Sequence, residues 1–208
     1  MATHDWFRNT EWTPEIERNF HEKLRRATKA KRPQYLRIQA FTLANSHPRV
    51  ALELLDMFFA MGEHFDTAMA YQCQAEAYLA LKEEDRAIAA YENALAREKA
   101  FPNAKGESAI ELPLLIATTH RLDLYPRALE LICTKANCLL PVQKFKHAAV
   151  LALIAADIGK REEAVLYSTR ALEIAEAQDS GLRYHPDLGL VGGKYAELRS
   201  RLRELMYL

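Results

Sequence analysis

The chain has 208 residues and carries 28 basic and 28 acidic side chains, so its formal net charge is zero. A neutral chain has no overall field that favours nucleic acid or a membrane surface, and no window reaches the roughly 18 apolar residues of a membrane span. The first residues lack the apolar run of a signal peptide, and an odd number of cysteines, three, is typical of free thiols in a reducing compartment. The sequence therefore predicts a soluble cytoplasmic protein.

A helix start follows the N-terminal stretch. The Thr13–Pro14 pair combines a capping residue with a proline suited to the first turn, which predicts a first helix over 14–31. Three large aromatic residues precede this helix: Trp6, Phe7 and Trp12. We expect these rings to pack on the first helix because they are too apolar to remain in water. If they do not, they could form the contact of a homodimer.

The rest of the chain has the pattern of paired helices, because apolar residues recur three and four positions apart between proline, glycine and polar breaks. The predicted helices run over 33–45, 48–62, 65–81, 84–99, 107–121, 126–137, 145–159 and 160–178. The stretch 181–193 holds four of the seven glycines and is predicted to be a loop. A last helix is predicted over 194–207.

A small residue recurs at the same place in the second helix of each pair. These residues are Ala51 (or Val50), Ala87, Ala128 and Ala164, so the steps are 36 (or 37), 41 and 36 residues. A near-constant step of this length indicates stacked helical hairpins, each of which buries its apolar face against its neighbours.

The clearest pair of helices lies between residues 68 and 94. Tyr71, Ala75 and Tyr78 lie on one helical face, and Ala87, Tyr91 and Ala94 repeat their spacing after a polar break. This pattern resembles the 34-residue tetratricopeptide repeat, which places small and aromatic residues at these positions of its two helices. The small residues of 145–171 keep the same register, so the chain is identified as a member of this family with degenerate repeats.

The resemblance implies an all-α, right-handed superhelical solenoid of about four hairpins over 33–179. The helices 14–31 and 194–207 would cap its two ends, because a solenoid otherwise exposes apolar surface there. The whole chain, 1–208, would form one domain.

The family binds protein or peptide segments in a concave groove lined by the first helix of each pair, so the resemblance implies a non-enzymatic scaffold for a protein or peptide partner. Carried over by position, the groove residues would be Tyr35, Gln39, Met69, Gln72, Glu76, His120, Arg121, Lys146, Leu153 and Asp157. The chain lacks the Lys/Asn clamp by which some members hold a C-terminal carboxylate. No cofactor is expected.

Other features of the sequence have weaker functional interpretations. The stretch from His21 to Arg37 has a net charge of +6, seven basic residues against one acidic; it could bind an acidic protein or nucleic acid, but a solvated helix end is favoured and no nucleic acid partner is predicted. The loop 189–193 lacks a phosphate-binding motif. The Tyr184–Asp187 segment could contact a ligand, although packing on the last repeat is preferred.

No catalytic or metal-binding arrangement stands out. The seven histidines are scattered, and neither His120 with Asp123 nor His64 with Asp66 has the spacing of a metal site. The thiol of Cys133 or Cys138 could act as a nucleophile only if the fold brought a base such as His147 to it. We therefore expect no enzyme activity.

Two further functions are compatible with the sequence. A regulatory module could hold a small ligand with the 181–193 loop and the groove. Alternatively, an immunity-type protein could neutralise another protein through a large interface.

Overall fold

A computed structural model describes residues 5–104, 106–134 and 138–207, and this part of the chain is all-helical, with no strand. Its ten α-helices are α1 (Pro14–Arg26), α2 (Arg32–Leu43), α3 (Pro48–Phe59), α4 (Thr67–Ala80), α5 (Glu84–Ala100), α6 (Ser108–Thr118), α7 (Tyr125–Thr134), α8 (Pro141–Asp157), α9 (Arg161–Ala175) and α10 (Ala196–Leu205). Short 3-10 turns at Leu122–Leu124 and Gly193–Tyr195 precede α7 and α10. No helix of the described residues is both long and apolar enough to cross a membrane. The all-α prediction is confirmed.

The chain forms two compact units, residues 1–108 and 109–208. In the first unit α2 packs on α3 and α4 packs on α5, and α3 also contacts α4. Alanines at the helix contacts, such as Ala51, Ala75 and Ala87, are fully buried. Because alanine has no side chain beyond Cβ, the helices of each pair can approach closely where it faces a ring.

The N-terminal segment packs on the first unit, as predicted. The Trp6 ring lies 5.4 Å from that of Phe20 in α1 and 4.9 Å from that of Tyr35 in α2, measured between centroids. The Trp12 ring lies 5.5 Å from the Phe20 ring. These rings therefore pack against other rings of the same chain. The sequence allowed a homodimer contact only if they did not, so that condition is not met.

The first helix begins as predicted but ends five residues early. The Thr13 hydroxyl accepts a hydrogen bond from the amide of Ile16 at 3.3 Å, whereas Ala27 has an extended backbone. Arg32 donates hydrogen bonds to the carbonyls of Arg25 and Ala27 at 2.7 and 3.1 Å. A side chain from α2 thus satisfies carbonyls that would otherwise bond to another helical turn.

In the second unit α8 packs on α9, and α10 packs on both. Leu202 of α10 is fully buried among apolar residues of α8 and α9, including Phe145 and Ala171. The 181–193 loop is largely irregular, as predicted, and the carbonyl of Gly189 accepts a hydrogen bond of 2.8 Å from the amide of Val142 at the start of α8. The predicted helix 126–137 corresponds to α7, and its end, 135–137, lies outside the described residues.

Candidate functional site

The first unit carries a cleft of about 280 Å³ between α2, α4 and the segment after α5. Its lining residues are Arg37, Phe41, Met69, Gln72, Cys73, Glu76, Gly106 and Glu107. Three of them, Met69, Gln72 and Glu76, are residues that the sequence placed in a binding groove.

Helical spacing explains why these side chains share one surface. Met69, Gln72 and Glu76 are separated by three and four positions, so they form a stripe along α4, and Arg37 and Phe41 are four positions apart on α2. The side chain of Phe41 is an unusually exposed aromatic, with 56% of its surface open to solvent. Phe41 and Met69 therefore form an apolar wall of the cleft, and Gln72 and Glu76 of α4 form a polar surface beside it.

A glycine and a glutamine build the wall of the cleft that follows α5. The side-chain oxygen of Gln72 accepts a hydrogen bond from the amide of Glu107 at 2.9 Å, and Glu98 accepts one from the amide of Gly106, also at 2.9 Å. A Cβ atom on Gly106 would lie 2.6 Å from Oε1 of Gln72. The glycine therefore leaves room for the Gln72 side chain to reach the amide of Glu107.

Among the described residues that line the cleft, the charged side chains are two carboxylates, Glu76 and Glu107, and one guanidinium, Arg37. Nε of Arg37 lies 3.2 Å from a carboxylate oxygen of Asp66, and both side chains are largely buried. Arg37 is therefore paired with Asp66, which lies outside the lining of the cleft.

The thiol in this cleft is not a nucleophile. Cys73 is almost fully buried, and burial, together with the nearby Glu76 carboxylate, raises its pKa far above the usual range. It therefore remains a protonated thiol, which packs as a small apolar residue.

The two predicted groove residues on α2 are covered. The Tyr35 ring lies 4.6 Å from the Phe7 ring, and Gln39, which is fully buried, exchanges hydrogen bonds of 2.7 to 2.9 Å with Asn9. The prediction that Gln39 faces a groove is therefore corrected: the N-terminal segment covers this side of α2, and Arg37 and Phe41 border the cleft instead.

In the second unit the fold brings two predicted residues together. Asp157 accepts a hydrogen bond from Nδ1 of His120 at 2.8 Å and another from the hydroxyl of Tyr125. Nε2 of His120 lies 2.6 Å from a guanidinium nitrogen of Arg201. Because arginine can only donate, Nε2 accepts and Nδ1 carries the proton given to Asp157. Burial and the Asp157 carboxylate raise the pKa of Tyr125, which stays neutral.

Three further predicted residues have other roles. Lys146 is buried and forms an ion pair with Glu111, and Leu153 is buried in the core. Neither side chain is open to a partner in this structure, which corrects their placement in a groove. Arg121, which is partly exposed, pairs with Asp123 at 3.3 Å.

Several residues of these sites could not be recognised from local sequence patterns. Phe41 resembled a core residue in the apolar pattern of α2, and Arg37 was counted in a basic stretch. Arg201 lies 81 positions after His120, so no local pattern could join them.

The structure also bears on the basic stretch, the 181–193 loop and metal binding. Within the basic stretch, Arg26 pairs with Glu22, and Arg32 caps α1. Tyr184 in the 181–193 loop is 78% exposed. Among the described residues, no cluster of three or more histidine, cysteine or acidic side chains is arranged to hold a metal ion.

Comparisons with protein-family models, with curated proteins and with solved structures found no match.

Proposed function

We propose that this chain is a helical-repeat protein of the tetratricopeptide type, an α-solenoid, and that it binds a peptide segment of a protein partner in the cleft of its first unit. The observation that carries the proposal is the stripe of Met69, Gln72 and Glu76 on α4 beside Phe41 of α2. Both helices are the first of their hairpins, which is where the repeat family binds its ligands. Binding rather than catalysis is proposed because the one thiol of the cleft is buried and protonated.

The size of the cleft favours side chains of a peptide over a drug-sized ligand. Sites for drug-sized ligands usually enclose about 300–1,000 Å³, and this cleft has about 280 Å³. That space accommodates one or two side chains. The rest of the peptide would lie on the helix surfaces on either side.

The chemistry of the walls indicates which side chains these are. Phe41 and Met69 offer an apolar surface, and burial of one apolar side chain against such a surface contributes about 1.5–3 kcal/mol. Glu76 and Glu107 would attract a lysine or arginine. We therefore propose a peptide with an apolar residue next to a basic one, bound in the reducing environment that cysteines outside disulfides favour.

Selection from a displayed peptide library against the full chain tests this proposal. Enriched peptides should share an apolar–basic pair, and their affinity is then measured by fluorescence anisotropy. Glu76→Lys should weaken binding about 10-fold or more, because it places a cation against a cation. Met69→Glu should also weaken it.

Asp56→Lys is the matched control, since Asp56 is an exposed carboxylate of the same unit and does not line the cleft. It should leave the affinity unchanged. Enrichment of acidic peptides, no enrichment at all, or equal effects of Glu76→Lys and Asp56→Lys would each refute the proposal. Circular dichroism of every variant checks that the fold is retained.

A further inference from the structure

The second unit has a cleft of its own, with about 230 Å³ of space between α8 and α9. Its α8 side carries Lys144, His147 and Leu151, and its α9 side carries Tyr167, Arg170 and Ile174. The first three are spaced three and four positions apart, and so are the last three. Each set is therefore a stripe on one helix, and the two stripes face each other across the cleft.

The polar side chains of this cleft are all cationic or neutral. Lys144 and Arg170 lie at its exposed edge, and His147 and Tyr167 are half-buried inside it. No aspartate or glutamate is among the described residues that line the cleft. In the cleft of the first unit, by contrast, the described lining residues include two carboxylates, Glu76 and Glu107.

The two cations are not paired with carboxylates of the described residues. Other basic side chains of this unit are: Lys160 pairs with Glu163 at 2.8 Å, and Arg199 pairs with Glu176. Lys144 and Arg170 form no such pair within residues 138–207 or elsewhere in the described chain. Their charges are therefore directed to the cleft and to solvent.

The imidazole adds a neutral hydrogen-bonding group. Burial lowers the pKa of His147, a hydrogen bond with the backbone of Ile132 acts in the opposite direction, and the charge of Arg170 lowers the pKa further. The net shift is downward, so the ring is uncharged at neutral pH. The uncharged ring adds no buried charge to the cleft, and because its N–H group bonds to Ile132, its other nitrogen can accept a hydrogen bond from a hydroxyl group of a ligand.

We propose that this cleft binds a small organic anion, in which a carboxylate or phosphate group is joined to a short apolar body. Arg170 and Lys144 hold the anionic group at the edge, as guanidinium and ammonium groups commonly do. The body of the ligand packs on Leu151, Ile174 and the ring of Tyr167. The ligand is smaller than a drug-sized molecule, because the cleft lies below the usual 300–1,000 Å³ of such sites.

Four probes, titrated into the full chain and followed by calorimetry and by NMR shifts, test the proposal. Benzoate and phenyl phosphate each have an anionic group and an apolar body, inorganic phosphate lacks the body, and benzylamine replaces the anion by a cation. We expect saturable binding of benzoate or phenyl phosphate at least 10-fold tighter than that of inorganic phosphate, and none of benzylamine. The stronger of the first two probes tells whether the anionic group is a carboxylate or a phosphate.

Two exposed arginines of α9 provide a matched pair of variants. Arg170→Ala should lower the affinity for the tighter-binding probe at least 10-fold. Arg161 is on the same helix and outside the cleft, so Arg161→Ala should leave this affinity unchanged. The thiol of Cys138 also lines the cleft, so the bound probe should slow its alkylation but not that of the exposed Cys133.

Four results would each overturn the proposal. The first two are equal binding of benzoate and benzylamine, and binding of inorganic phosphate as tight as that of the phenyl compounds. The others are equal effects of the two arginine variants and the absence of saturable binding by any probe. The test does not depend on the peptide-binding cleft, which lies in the other unit, so either proposal can fail alone.

Discussion

Replacing Lys146 by methionine should destabilise the protein, because it leaves the carboxylate of Glu111 without its partner. The Lys146 side chain is only 5% exposed and that of Glu111 is 23% exposed. Removing one partner of a fully buried ion pair costs about 3–5 kcal/mol. Since Glu111 keeps some contact with water and methionine preserves the packing of the lysine stem, we expect the lower end, a loss of about 3 kcal/mol.

The same reasoning predicts that a second substitution restores stability. With Glu111→Leu added, the pair is replaced by two apolar side chains of similar volume, a change that is often neutral or stabilising. The double variant should lie within about 1 kcal/mol of the natural protein. Urea unfolding followed by circular dichroism measures all three proteins, and hydrogen exchange in α8 reports on the unit concerned. A loss below about 1 kcal/mol for Lys146→Met, or no recovery in the double variant, would refute the reasoning.

The pair also predicts how stability changes at high pH. Burial lowers the pKa of Lys146, but the charges and hydrogen bonds of Glu111 and Tyr195 together outweigh burial, so the pKa is raised overall. Because the folded state holds this proton more tightly than the unfolded chain, the contribution is fully present below the unfolded pKa of about 10.4 and is lost as the pH rises through the higher folded pKa. The difference in unfolding free energy between the natural protein and Lys146→Met should therefore be constant up to about pH 9 and shrink as the pH rises above about 10.

Two further sites give stability predictions that the same unfolding assay checks. Gly189→Ala should lower the free energy of unfolding by about 2–4 kcal/mol, because the glycine has a φ of +72° and a Cβ there would lie 2.8 Å from the Leu140 side chain. Gly159→Ala should lower it by only about 1–2 kcal/mol, because Gly159 has a φ of +77° but no atom within 4 Å of the added Cβ. Equal losses in the two variants would contradict the steric argument. Gln39→Leu should lower the free energy of unfolding by about 1–3 kcal/mol, because it removes the hydrogen-bond partners of the Asn9 backbone. Limited proteolysis should then cut the N-terminal segment faster than in the natural protein, and an unchanged cleavage rate would contradict this role of Gln39.

The helices themselves could be predicted from the sequence because their signals are local. The Thr13–Pro14 start of α1 and the break after α3, where Gly62 has a φ of +88°, depend on residues within one or two turns. The end of α1 could not be predicted, since it is decided by Arg32, a residue of α2 that hydrogen-bonds to its last carbonyls.

The candidate sites were predicted less well, because a site depends on which helical face stays open. On α4 the stripe of Met69, Gln72 and Glu76 follows from the strong pattern of the clearest repeat, and it does line the cleft. On α2 the sequence selected Tyr35 and Gln39, which the N-terminal segment covers.

The sequence by itself determined that this chain is helical, where most of its helices begin, and that α2 pairs with α3, α4 with α5 and α8 with α9, because helix starts, breaks and apolar spacing act over a few residues. The tertiary structure decided which polar side chains meet. His120 contacts Asp157 and Arg201 across separations of 37 and 81 residues, and Lys144 and Arg170 come to border one cleft. Charge and hydrogen-bonding capacity are properties of a residue, but a binding site arises only when packing brings several of them together around a space that the core does not fill.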